Sequence, residues 1–220
     1  MKKGFRIFLT VVLTIVLLAV AVCVWQWENL MALKLSLQTP KEELDQMLED
    51  TNKRVDAVTE QLPVDVRDLT EEEKNALQSG KTDRETLLET ITGTPAPDVQ
   101  VPIVNMAELE AQLSRYMAEI YVMKAEYSGW LSAKNQAAID EFVALPKEEQ
   151  TTSNKYKIGM RCMNEALAKE KECDGAMAEI EGKIRDILVK LGRDTALADE
   201  IHAAYLQEKQ IQKAYYMGLH

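Results

Sequence analysis

His202 follows Asp199 by three residues, a spacing that puts both side chains on one helical face. A carboxylate oxygen and an imidazole nitrogen so placed are two potential metal ligands. A tetrahedral zinc site needs three or four, and no further ligand cluster stands near the pair. A ferritin-like di-iron bundle would use two Glu-x-x-His motifs. Here an aspartate stands before His202, and Met217 stands three residues before the other histidine, His220. The pair reads as an exposed polar pair, and no metal or other cofactor is expected.

Other reactive groups lead no further. No Gly-x-Ser-x-Gly, no phosphate-binding glycine loop and no cysteine with a histidine partner occurs. Paired carboxylates such as Glu170/Glu172 and Glu179/Glu181 alternate with lysines, the pattern of a solvated helix face. Cys23 lies in an apolar segment. Cys162 and Cys173 are 11 residues apart on one expected helix, about 16 Å along its axis, too far for a disulfide. They read as small hydrophobes. Met106, Met117, Met123, Met160, Met163 and Met177 could line an adaptable groove, but ordinary core filling is the expected role. Without a catalytic constellation, the chain is not expected to be an enzyme.

The elements that would position any site are helical. Ala, Leu, Glu, Lys, Gln and Met dominate, Gly and Phe are scarce, and only Leu33–Leu37 offers a short strand pattern. Thr39-Pro40-Lys41-Glu42 starts a helix with the heptad stripe Leu44, Leu48, Thr51, Val55, Val58 and Leu62, ended by Pro63. Thr70–Glu73 and Thr82–Glu85 read as capping boxes of two short helices stopped by Gly80 and Gly93. Three prolines between Thr94 and Pro102 make a semi-rigid linker.

Asn105 caps a long helix whose stripe is Met106, Leu109, Leu113, Tyr116, Ile120, Met123, Tyr127 and Trp130, the candidate packing or interaction stripe. Ala137, Ile139, Phe142 and Leu145 follow, either as its continuation or as a separate short helix. A second long helix is expected from about Lys155 to Leu191, with Met160, Met163, Leu167, Met177, Ile180, Ile184 and Ile187 inward and Gly192 at its end. Asp194 caps a last helix with the stripe Leu197, Ile201, Ala204, Glu208, Ile211 and Tyr215. The expected architecture is all-α: an antiparallel three-helix array over 105–217, with the helix of 40–62 as a possible fourth member of the bundle.

The N-terminus addresses the chain. Ile7 to Val24 carry no charge; Lys2, Lys3 and Arg6 precede them. Eighteen residues span about 27 Å as helix, close to a hydrocarbon core of about 30 Å, and flanking Phe5, Trp25 and Trp27 extend the run. Small residues Ala19 and Ala21 resemble a cleavage site but lie inside the apolar run and not after it. A lipoprotein signal would place a small residue before Cys23, where Val22 stands. An uncleaved signal anchor fits best, formed by Ile7, Leu9, Val12, Leu13, Val16, Leu17, Val20 and Val24 with Trp25 and Trp27 at the interface. The basic flank keeps the N-terminus in the cytoplasm.

The 26 basic residues less those three leave 23 against 36 acids outside, a net −13. That acidity argues against a nucleic-acid partner.

The expected organisation is a cytoplasmic tail at 1–6, an anchor at 7–27, a helical stalk at 28–62, two short helices at 63–93, a linker at 94–104 and a bundle domain at 105–220. The expected function is a single-pass, extracytoplasmic module of a bacterial cell envelope. It would engage the lipid bilayer and a protein partner, or associate with itself. The alternative is an external sensor or regulatory bundle, which a cytoplasmic tail of six residues ill equips to carry output.

Overall fold

The structure, a computed structural model, describes residues 27–93 and 106–217. The expected cytoplasmic tail, the expected anchor up to Gln26, the expected 94–104 linker and the expected Asn105 cap lie outside the described residues. Seven helices are described: α1 (Trp27–Gln38), α2 (Lys41–Thr59), α3 (Glu71–Gln78), α4 (Arg84–Thr92), α5 (Met106–Ala144), α6 (Thr152–Lys190) and α7 (Ala196–Met217). No strand occurs among the described residues, and the described chain is all-α. None of these helices is long and apolar enough to cross a membrane. Leu33–Leu37, the one strand-like stretch, is the second half of α1: leucine and lysine are strong helix formers, and the Thr39 N–H closes the last turn on the Leu35 carbonyl at 2.9 Å.

The chain divides into two compact units, Met1–Val55 with Ala203–His220 and Asp56–His202. Helices α2 and α7 contribute residues to both.

In the unit Asp56–His202 the organising element is α5, 39 residues and about 58 Å long. It runs unbroken through Gly129 to Ala144, so the stretch after Trp130 is a continuation. Its partner α6 begins at Thr152, three residues before the expected Lys155, because the Thr151 hydroxyl caps the Asn154 N–H. Cross-helix pairs Lys134–Glu165, Arg161–Glu141 and Lys183–Tyr116 have residue numbers that sum to nearly the same value, as antiparallel helices require. Arg185–Asp199 and His202–Glu181 do the same for α6 and α7 across the turn at Gly192, whose φ of 63° suits glycine. The α6 core stripe is Cys173, Met177, Ile180, Ile184 and Ile187, all buried, spaced 4, 3, 4, 3 as knobs-into-holes packing requires.

The second face of α5 carries the two short helices. At about 100° per residue, Ser114, Ala118, Tyr121, Ala125 and Gly129 form a row about 180° from the row that meets α6. The Tyr121 hydroxyl donates to Asp56 Oδ1 at 3.1 Å and lies 3.2 Å from the Thr59 hydroxyl. The Asp65 N–H donates to the Ser114 hydroxyl at 3.3 Å. Gly129 leaves room for the Gln78 side chain, whose Cγ would lie 2.4 Å from an added Cβ. Ion pairs Arg84–Glu126 (2.7 Å) and Arg115–Glu85 (2.6 Å) flank the row.

The caps that end α3 and α4 follow from single residues. Thr70 and Glu73 form the expected capping box, and the Arg67 guanidinium with the Thr70 N–H holds the Glu73 carboxyl down to about 2. On α4 the cap is Asp83, one residue beyond the expected Thr82; its carboxylate accepts the Thr86 N–H at 2.8 Å. An ionised cap complements the helix dipole, and the register it sets buries Leu87, Leu88 and Ile91.

In the unit Met1–Val55 with Ala203–His220, Leu44, Ile211 and Ala214 form a small core joined by Leu35, Met47, Leu48 and Tyr215. Lys41 Nζ stacks 5.2 Å over the Tyr215 ring, and Lys213 Nζ donates to Asn29 Oδ1 at 3.1 Å. The part of α7 in this unit buries Ala204, Lys209, Ile211 and Ala214; Ala198 and Ile201, also buried, belong to the unit Asp56–His202. Leu197 and Tyr215 of the expected stripe are only half-buried, and so is Glu208, which accepts from Gln212 at 2.8 Å.

Candidate functional site: an uncovered face at the end of the hairpin

The stripe singled out on α5 lies within the hairpin. Leu109, Leu113, Ile120 and Met123 are buried. Tyr116, Tyr127 and Trp130 are half-buried; Lys183 Nζ lies 5.3 Å from the Tyr116 ring centre and Lys134 Nζ 5.6 Å from that of Trp130, so cations of the same unit cover these aromatic faces. Of the methionines, Met117, Met123 and Met177 are buried, while Met106 and Met160 are exposed. The expectation that Met160 points inward is therefore corrected. The α6 stripe is buried from Glu170 onward, and toward the N-terminal end only Ile158 is.

Asp199 and His202 do not meet at a common site. Asp199 Oδ1 accepts from Arg185 Nη2 at 2.7 Å, and that guanidinium holds the Asp199 carboxyl below its usual range. His202 Nδ1 lies 2.7 Å from Glu181 Oε1. Among the described residues no group of three or more His, Cys, Asp or Glu is arranged to hold a metal ion. Cys162 and Cys173 are free thiols, and burial pushes the Cys173 thiol up, away from the thiolate that nucleophilic or redox chemistry uses.

What the unit presents instead is an unfinished face. The α5 row covered by α3 and α4 ends at Gly129. Continued at the same helical angle it reaches Ser132, Gln136, Ile139 and Val143, all exposed. Ile139 is 48% and Val143 65% exposed. At the same level of the hairpin, α6 exposes Tyr156 and Met160, which line a shallow open groove with Lys157, Arg161, Asn164, Glu165 and Ala168.

Two ion pairs join α5 and α6 in this region. Lys134 holds Glu165 at 2.7 Å and lowers its carboxyl; Glu141 binds Arg161 and raises its guanidinium. From Thr152 to Asn164 the α6 sequence has three cations, Lys155, Lys157 and Arg161, and no anion, in a chain of net charge −10. The hairpin end thus exposes apolar side chains and is joined by cross-helix ion pairs, its α6 cations balanced by Asp140, Glu141, Glu148 and Glu149 of α5 and the turn.

Sequence reasoning did not single out Ile139, Val143 or Tyr156 as a surface. The readable signal was the loss of strict 3–4 spacing after Trp130, together with Lys-Tyr-Lys-Ile-Gly-Met-Arg at 155–161, where large apolar residues alternate with cations. No protein-family model, no curated protein and no solved structure matches the chain.

Proposed function

We propose that the chain is a membrane-anchored, extracytoplasmic helical module that binds another protein through the end of the α5–α6 hairpin, and that it has no catalytic role. The observation that carries this reading is the continuation of one helix face from covered to uncovered. Short helices shield the α5 row up to Gly129, and beyond it Ile139 and Val143 present the same kind of surface to solvent. A helix of a partner laid on that row would do there what α3 and α4 do nearer the middle of α5. Anchoring rests on the uncharged run Ile7–Val24 behind Lys2, Lys3 and Arg6, which also sets the bulk of the chain outside the cytoplasm.

A photo-crosslinking residue at Val143 or Tyr156 in living cells tests the reading. The expected result is one discrete protein adduct that disappears when Met160 is changed to Glu. Adducts no more abundant than those from an equally exposed control position, Val189, would sink it.

A further inference from the structure

We propose that α1 lies flat in the interfacial layer of the membrane, with Leu30, Leu33 and Leu37 turned into the lipid. The inference rests on the anchor reading above and adds which described residues touch the bilayer.

Helix α1 is apolar on two sides. One side is taken up inside its own unit: Ala32 is fully buried and Leu35 joins the core of Leu44, Ile211 and Ala214. On the other side Leu30, Leu33 and Leu37 are 45, 44 and 71% exposed. At about 100° per residue those three fall within an arc of about 60°, opposite the midpoint of Ala32 and Leu35. Exposed clustered leucines of this kind mark a contact surface.

Three observations choose lipid as the occupant. The stripe starts three residues after Trp27, where the uncharged segment with its two tryptophans hands over to α1. Three leucines are a small part of the roughly 20–30 residues a side that a stable protein interface uses, so a second copy would not be held by them. Lys34, the only cation of α1, sits at the edge of the arc, where its stem can lie along lipid and its ammonium reach the headgroups.

The flat orientation follows from distance. Standing along the membrane normal, α1 would carry Leu37 about 15 Å beyond Trp27, past an interfacial layer of roughly 5–8 Å per leaflet. Lying in the plane, all three leucines reach the acyl boundary at one depth.

Nitroxide labels test this in the full chain, with Cys23, Cys162 and Cys173 replaced by alanine and the protein held in phosphatidylcholine–phosphatidylglycerol nanodiscs. Labels go at positions 30, 33 and 37, and at the exposed Gln46 of α2 as the aqueous control. The expected result is a ratio of oxygen to nickel-chelate accessibility several-fold above that of Gln46 at all three positions, with one common depth. Nickel access at 33 and 37 equal to Gln46 overturns the proposal, as does a steep fall in depth from 30 to 37. Exclusion of both reagents with dipolar broadening between labels means that a second copy covers the stripe, and also overturns it. Protein that stays in the nanodisc while giving any of these results leaves the anchor standing. Protein recovered free of lipid overturns both readings.

Discussion

The two halves of the α5–α6 hairpin are built from the same helices and differ in cover. Between Leu109 and Leu131, α5 is buried on opposite faces, by α6 and by the segment 56–93. Beyond Leu131 it keeps α6 alone, held by the Lys134–Glu165 and Arg161–Glu141 pairs. Exposed ion pairs contribute roughly 0–1 kcal/mol each, whereas a buried aliphatic side chain contributes about 1.5–3 kcal/mol. The covered half holds the larger share of the buried apolar side chains of this unit, and the proposed recognition falls on the half that holds fewer.

Substitutions can break this contrast. The largest effect is expected from Ile184→Ala in the covered half: Ile184 is fully buried, and its truncation should cost about 2–5 kcal/mol in urea unfolding followed by circular dichroism. A loss under 1 kcal/mol there would mean that the hairpin is not held where its core is densest. Tyr121→Phe comes next. It removes the hydroxyl shared by Thr59 and Asp56, and the same titration should fall by about 1–2 kcal/mol.

A pH series sharpens the contrast through Glu73. Its carboxyl is held down to about 2 by Arg67 and by the Thr70 cap. A carboxyl depressed on folding adds stability that is complete above its ordinary value near 4.5 and is lost as pH falls toward 2. The Arg67 side chain is 49% exposed, and solvent screening brings the contribution to about 1 kcal/mol. Wild-type protein should therefore lose about that much more than Glu73→Gln between pH 5 and 2, by thermal melts at each pH. Equal losses would show the pair to be idle. The smallest effect on stability belongs to the uncovered half: Val143→Ser and Met160→Ser should each stay within about 0.5 kcal/mol while abolishing the crosslinked adduct. If either unfolds the hairpin, the division of labour between the halves fails.

Periodicity made most of the helices legible before any coordinates. Thr70–Glu73 and Gly192 named their own roles, because a cap is a local hydrogen-bonding problem solved within four residues. The second buried row of α5 escaped notice: Ser114, Ala118 and Gly129 are small, and a hydrophobic pattern does not register residues that matter by leaving space. Met160 was misplaced for the opposite reason. Met160, Met163 and Leu167 are spaced 3 and 4 like a stripe, but the buried positions Cys173, Met177, Ile180, Ile184 and Ile187, continued backward in the same steps, reach Met163 and pass beside Met160. Asp83 displaced Thr82 because two good capping residues stood side by side and the burial of Leu87, Leu88 and Ile91 chose between them.

The hydrogen bond from Lys213 to Asn29 joins residues 184 positions apart. During synthesis α1 emerges early, and its partner on α7 follows only after the whole of Asp56–His202 has been made. At 5–20 residues per second, α1 waits roughly 10–40 s for that contact. The hairpin can close on itself in that interval, so the small core that α1 joins is the last to be completed, and its assembly is timed by the ribosome.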